Sequence, residues 1–413
     1  MARLASRAGD PAVTRSSDQQ VALAGLAPED DPRRRVVRDW LAAHPEPSGR
    51  ELAEAGYVVP HWPEPWGLDA DPVHQLLIDD ELRRAGVRRP VNLIGIGWAA
   101  PTIIMAGTEA QIDRYVWPAL AGEEIWCQLF SEPDAGSDLA SLRLRARRDG
   151  DHYVLNGSKT WSSGAHFSEL GILIARTDPD APPRRGISYF ICPMDLPGMT
   201  LRPIVDMTGG QSFNEVFFDD VRLPVEMRVG DENDGWRLAK VTLGNERAGL
   251  STGGVLWGSG PTADDLLDLV RRHHLPLPPV LRDRLAALHI ESETLRLLRL
   301  RSLGGLVLGR PRGPEVSVQK LLADEHGQRV MALAREITGA DGMLVGAGPE
   351  GTLAGRARSA PMHKPPIGDQ FPDVDPIWEF GWRFSPALTI GGGTAEIQRN
   401  IIAERTLGLP PGP

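Results

Sequence analysis

Cysteine is nearly absent. Cys127 and Cys192 are the two in 413 residues, too few for a disulfide framework, and both stand in apolar sequence, as a reducing compartment favours. Positive charge is also short: the formal charge is −10, so the basic field that nucleic-acid binding needs is missing, and an anionic ligand must be met by a local site. No apolar run is long enough for a membrane helix. The longest, Val91 to Gly107, is broken by Gly95, Gly97 and Pro101 and reads as buried core. Glycine (45) and proline (36) are plentiful but without period, which argues against a solenoid. No G-x-G-x-x-G follows a first strand, so a Rossmann unit has no support. Residues 1–32 hold arginines and serines without a continuous apolar core and do not read as a secretory signal. A disordered tail is expected there, with a transit peptide as the alternative. These absences together predict a soluble, cytoplasmic protein.

What is present is an ordinary globular balance, 41% hydrophobic and 24% charged, on a chain long enough for two or three packed domains. Residues 33–124 show helical spacing, at Arg35 to Ala43, Leu76 to Ala85 and Gln111 to Leu120, around a loop with Pro60, Pro63 and Pro65. Residues 125–234 change period. Leu170 to Ala175, Ile187 to Cys192, Met199 to Ile204 and Phe213 to Phe218 read as short strands, and Asn156-Gly157 reads as a turn between two more, His152 to Leu155 and Thr160 to Ser162. That spacing fits a β-barrel or sandwich of roughly 100 residues. Residues 235–413 are helical again, at Trp236 to Leu250, Pro279 to Leu308, Glu315 to Ile337 and Thr394 to Leu407. Helices, then strands, then helices indicate an α+β fold rather than a doubly wound one.

Four segments add chemistry to this order. Gln128-Leu-Phe-Ser-Glu-Pro-Asp-Ala-Gly-Ser-Asp138 is followed by Gly157-Ser-Lys-Thr-Trp-Ser-Ser163, by Phe213-Asn-Glu-Val-Phe-Phe218, and by Gly393-Thr-Ala-Glu-Ile-Gln-Arg399. In this order they resemble the acyl-CoA dehydrogenase family, from about residue 33 to 410. The resemblance implies an N-terminal helical domain, a middle β domain and a C-terminal four-helix bundle. It also implies FAD as cofactor, an acyl-CoA substrate, an electron-transfer flavoprotein or similar acceptor, and no metal. Carried over residue by residue, it assigns Gln128, Phe130, Ser131, Gly136, Ser137, Trp161, Ser162, Ser163, Thr394 and Glu396 to flavin binding. Ser137, Arg247, Gly392 and Gly393 fall beside the substrate. Taken singly, Ser137 is an ordinary turn residue and Trp161 an ordinary core aromatic; the register of the segments favours function.

Removal of a proton α to a thioester carbonyl needs a desolvated, solitary carboxylate, with preorganised donors for the charge that develops on the carbonyl oxygen. Most of the family carries its glutamate where this chain has Gly392, which cannot take a proton. A subset typified by isovaleryl-CoA and long-chain dehydrogenases carries it on the first long C-terminal helix, immediately before an arginine. Here Leu243-Gly-Asn-Glu-Arg247 matches, so the resemblance assigns the base to Glu246. Read without it, a Glu-Arg pair on a helix is most often solvated surface.

The chain departs from the family where a subunit normally reaches a neighbour's FAD. Arg271-Arg-His-His-Leu-Pro-Leu-Pro278 lacks the Phe-Gly of an Arg-x-x-Phe-Gly segment, and Glu336 replaces a neutral amide. That departure resembles mixed actinobacterial tetramers of two related chains. A homo-oligomer, a mixed tetramer, a non-catalytic subunit and a flavin oxidase on the same fold all stay open at this point.

Overall fold

A computed structural model describes residues 28–251, 260–272, 274–307, 313–339 and 376–410. The first part is helical: α1 (Pro32–Ala43), α2 (Gly49–Glu54), α3 (Pro72–Arg84), a π turn (Gly95–Ala99) running into α4 (Ala100–Ala106), and α5 (Glu109–Ala121). Their starts are local chemistry. Asp31 and Asp71 cap α1 and α3 ahead of a proline, and Ser48 with Glu51 and Thr108 with Gln111 form reciprocal caps on α2 and α5. The helix expected at Arg35 therefore begins three residues earlier.

Eight strands follow: β1 (Trp126–Leu129), β2 (Arg145–Asp149), β3 (His152–Lys159), β4 (Leu170–Arg176), β5 (Ile187–Pro193), β6 (Met199–Ile204), β7 (Phe213–Pro224) and β8 (Arg228–Val229). They form one sheet in the order β6-β7-β3-β2-β4-β5-β8, with β1 parallel to β4. Alternate side chains enter two cores. Ile172, Ile174, Tyr189 and Ile191 face the N-terminal helices, while Leu173, Ala175, Phe190 and Cys192 face the other side. Both faces of β4 and β5 are covered, so these strands read as unbroken apolar runs.

Three expectations are corrected. Asn156-Gly157 is not a hairpin turn. It lies inside β3, where the register against β7 shifts between Leu155 and Gly157, and Gly157 at φ 139° fits against Leu144 where a Cβ would not. The turn joining β2 to β3 is at Gly150, φ 63°. Thr160 to Ser162 is not a strand, because Trp161 takes a left-handed backbone at φ 58°. The stretch Val91 to Gly107 is only partly core: Trp98, Ala99, Ala100 and Ile103 are buried, but Val91, Leu93 and Met105 are exposed.

The last part holds α6 (Gly235–Ser251), α7 (Ala263–Arg272), α8 (Pro279–Val307), α9 (Glu315–Thr338), α10 (Pro376–Phe384) and α11 (Ala395–Ile401), which continues into a π turn (Ile402–Thr406). α9 packs on α6, α8, α10 and α11, and α6 also packs on β5 and on the π turn at Gly95–Ala99. The architecture is the α+β arrangement expected, and α6 joins its parts. Most of the expected tail, residues 1–27, lies outside the described residues.

Candidate active site

The inner face of α6 is tied to the sheet by hydroxyls. Thr242 is buried, its Oγ1 lying 3.0 Å from Thr102 Oγ1 and 3.1 Å from the Tyr189 hydroxyl. Glu246 lies four residues further on, so it shares that face. It is 8% exposed, and Gln128 on β1 donates from Nε2 to its Oε2 at 3.4 Å. Burial pushes the Glu246 carboxyl above the ordinary carboxylate range. Gln128, the charges of Arg247 and Lys320, and the backbone amide of Gly392 act in the opposite direction. The neighbouring Arg247 is half-buried and lowered by burial. Thus Gln128, Glu246 and Gly392, far apart in sequence, meet at one carboxylate.

Gly392 and Gly393 precede α11 with left-handed backbones, φ 68° and 90°, a conformation glycine adopts without penalty. Gln398, fully buried, donates from Nε2 to the carbonyls of Gly392 (3.2 Å) and Gly393 (3.1 Å). Thr394 caps α11, its hydroxyl accepting from Ile397 N at 3.3 Å. Glu396 stands exposed on α11 opposite Arg399, 3.4 Å away, and faces none of these groups in the described contacts.

The β side supplies a second set. Ser131 accepts from Thr160 N at 2.9 Å through its carbonyl. The Phe130 ring is buried edge-on against Tyr189, so what it turns toward the neighbouring segment is its carbonyl. Gly136 and Ser137 form an exposed turn, with nothing within 4 Å of where a Gly136 side chain would stand. Trp161 is not a core aromatic. It is 58% exposed, edge-on to Phe213. Ser163 is half-buried, and Ser162 is buried with its hydroxyl lacking a hydrogen-bond partner among the described residues. An exposed indole and an orphaned hydroxyl on the segment after β3, joined through Thr160 N to Ser131 O of the segment that carries the open glycine turn, fit a flat heteroaromatic cofactor with polar edges.

Sequence reasoning passed over the residues that fix this edge. Lys159 is completely buried and donates to Phe130 O (2.9 Å) and Glu132 Oε1 (2.8 Å), while Glu132 accepts from the amides of Arg143 (2.6 Å) and Leu144 (2.9 Å). Burial pulls the Lys159 ammonium down to about 8, against the pull of Glu132. Asn214 on β7 donates to Ser162 O at 3.1 Å. Both Lys159 and Asn214 sit inside the quoted motifs, which was the available signal. Of the departures, Arg271 is exposed and near Asp268, and Glu336 is paired with Arg284 at 2.5 Å.

Three family models match the chain in order: the acyl-CoA dehydrogenase N-terminal domain over residues 29–123, the middle domain over 127–221 and the C-terminal domain over 233–407. The chain belongs to the acyl-CoA dehydrogenase family. Members of that family are FAD-dependent oxidoreductases acting on acyl-CoA. The chain is 40% identical over 388 residues to the acyl-CoA dehydrogenase FadE34 of Mycobacterium tuberculosis, covering 94% of this chain and 49% of the relative, so it spans about half of that protein's length. Against the acyl-CoA dehydrogenase IpdE1 of the same organism the identity is 37% over 362 residues, covering 87% of each chain. Among solved structures it resembles the Tcur3481-Tcur3483 steroid acyl-CoA dehydrogenase (TM-score 0.71, 28% identity, 96% of each chain). It also resembles the ChsE4-ChsE5 complex from Mycobacterium tuberculosis (TM-score 0.69, 27% identity, 97% of this chain and 100% of that one). No helix among the described residues is long and apolar enough to cross a membrane.

Proposed function

We propose that this acyl-CoA dehydrogenase oxidises an acyl-CoA thioester to the trans-2-enoyl-CoA, with Glu246 removing the α proton. The observation that carries the reading is the buried carboxyl of Glu246, raised by desolvation and facing Gln128 and Gly392, where a carboxylate on α6 answers the glycine in the loop. Glu246, ionised, takes the α proton, while Arg247 and Lys320 keep enough positive charge nearby for the carboxylate to be available. Gln128 orients it. Trp161, Ser162 and Ser163, with the Gln128 to Ser137 segment, would hold FAD, which when bound accepts the hydride from the β carbon. Gly136 and Ser137 leave backbone free for the CoA side, and Gly392 and Gly393 keep side chains away from the thioester.

The substrate class to test first is the CoA thioester of a bulky, steroid-derived acid, since one structural relative is described as a steroid acyl-CoA dehydrogenase. The acceptor is an electron-transfer flavoprotein or similar carrier. A mixed oligomer is favoured by the missing Phe-Gly after Arg271 and by Glu336, already engaged by Arg284, and by the two-chain composition of the ChsE4-ChsE5 relative. This chain supplies the base and the flavin-ring half, and a related chain supplies the adenine half.

The deciding experiment follows flavin bleaching by acyl-CoA, anaerobically, for wild type and Glu246→Gln, with flavin counted per chain for the protein alone and with a related partner chain. Bleaching lost in Glu246→Gln at unchanged flavin content supports the base. Retained bleaching refutes it. Full flavin and activity from this chain alone would overturn the mixed oligomer, and rapid oxygen consumption without a carrier would turn the reading to an oxidase.

A further inference from the structure

We propose that Lys320 is a positioning residue for the base: from α9 it grips the Gly391–Thr394 loop and turns its charge toward Glu246, keeping the loop peptide and the carboxylate in register. The proposal rests on the dehydrogenation reading of Glu246.

Lys320 is completely buried, where an ammonium is costly to hold unless fully engaged. Its Nζ donates to Asp324 Oδ2 at 2.5 Å, to Gly393 O at 3.1 Å and to Leu388 O at 3.4 Å, three acceptors for three hydrogens. Two of these acceptors are backbone carbonyls, Leu388 O before the glycine run and Gly393 O at its last residue. An ion pair between Lys320 and Asp324 alone would be met as well by two apolar side chains of similar size; the reach to the two carbonyls is what an apolar pair cannot supply. Gln398 donates to Gly393 O as well and to Gly392 O, so the Gly393 carbonyl is held from two helices. The Gly392 amide that helps stabilise the Glu246 anion belongs to this doubly held segment.

The grip is needed because the loop is glycine. Gly392 and Gly393 have left-handed backbones and no side chains to anchor them, and a free glycine loop samples widely. A base whose partner amide wanders by about 1 Å loses on the order of 100-fold in rate. The charged groups around Glu246 are Arg247 on its own helix, Lys320 with its partner Asp324 on α9, and Arg405, which acts on Arg247; Gln128 faces it from β1 without charge. Lys320 favours the Glu246 anion, and Asp324, 2.5 Å from the Lys320 ammonium, offsets that charge; a purely structural role for the pair would leave the titration of Glu246 unmoved.

The experiment measures kcat, KM and the acidic limb of the kcat–pH profile in the flavin-loaded enzyme for wild type, Glu246→Gln, Lys320→Met, Asp324→Asn and the double variant Lys320→Met/Asp324→Leu. Lys320→Met is expected to lower kcat roughly 10–100-fold with KM changed less than about threefold, and to move the limb to higher pH. Asp324→Asn moves the limb to lower pH. The double variant keeps the melting temperature and still shows the loss of kcat, because the carbonyls have lost their donor. An unmoved limb, a shift of the same sign in both single variants, or wild-type kcat in the double variant overturns the proposal. Activity surviving in Glu246→Gln instead removes the reading of the base on which it stands, and so separates the two failures.

Discussion

Replacing Lys159 by methionine tests whether the cofactor edge is held by one buried ion pair. Methionine matches the stem of lysine and removes only the charge and its donors. Two contacts vanish, to Phe130 O at 2.9 Å and Glu132 Oε1 at 2.8 Å. Removing one member of a buried pair costs about 3–5 kcal/mol, because the other charge is left uncompensated. Glu132 keeps two backbone donors, Arg143 N at 2.6 Å and Leu144 N at 2.9 Å, so the expected loss sits at the lower end, about 3 kcal/mol. The assay is the urea midpoint with the slope checked for constancy, combined in a double-mutant cycle with Glu132→Gln. A coupling of about 2 kcal/mol is expected between the two sites. Flavin per chain should fall in Lys159→Met, because Phe130–Ser131 and Thr160–Ser162 lose the lysine between them, and should not fall in Glu246→Gln. A destabilisation under about 1 kcal/mol with coupling under about 0.5 kcal/mol would refute the reasoning.

Two further predictions follow from the same geometry. Glu246 has its folded pKa raised above the ordinary 4.5; the protonated form therefore favours the fold, and that stability is lost as pH rises through the folded value. Glu246→Gln should melt higher than wild type at pH near 8, with the difference shrinking as pH falls toward 4.5, read by calorimetry across pH; a constant difference would contradict it. Gly157→Ala should lose about 2–4 kcal/mol, since a residue with φ 139° is strained and the new Cβ would come 2.9 Å from Leu144 Cα. Urea unfolding checks this, and a loss below about 1 kcal/mol would mean the bulge relaxes.

Much of the fold was legible along the chain. β4, β5, β6 and the start of β7 fall within a residue of their expected spans, because apolar runs bounded by Gly, Pro and Asp report strands whatever their neighbours. The long helices α6, α8 and α9 likewise follow from period and length. β2 was not legible. It presents one buried side chain, Ala146, among charged residues, and it is a strand because β3 pairs with it. Asn156-Gly157 carried the dipeptide of a hairpin, yet β7 pairs across it and turns the same glycine into a bulge. Local turn chemistry lost to a longer-range ladder.

The candidate site divides in the same way. The sequence by itself determined the residue types: a glycine at 392, a Glu-Arg pair at 246–247, and flavin-type segments in family order. Tertiary structure alone decided that Gln128 and the Gly392 amide converge on Glu246, that Trp161 faces outward, and that Glu396 stays on the surface with Arg399. It also decided which charges are buried. Apart from the motif that contains Lys159, nothing in the composition separates Lys159 and Lys320 from the surface lysines one expects. Their burial depends on backbone carbonyls supplied by distant segments, with Glu132 for Lys159 and, one turn along the same helix, Asp324 for Lys320, and a buried ammonium is tolerated only when such partners have been assembled around it.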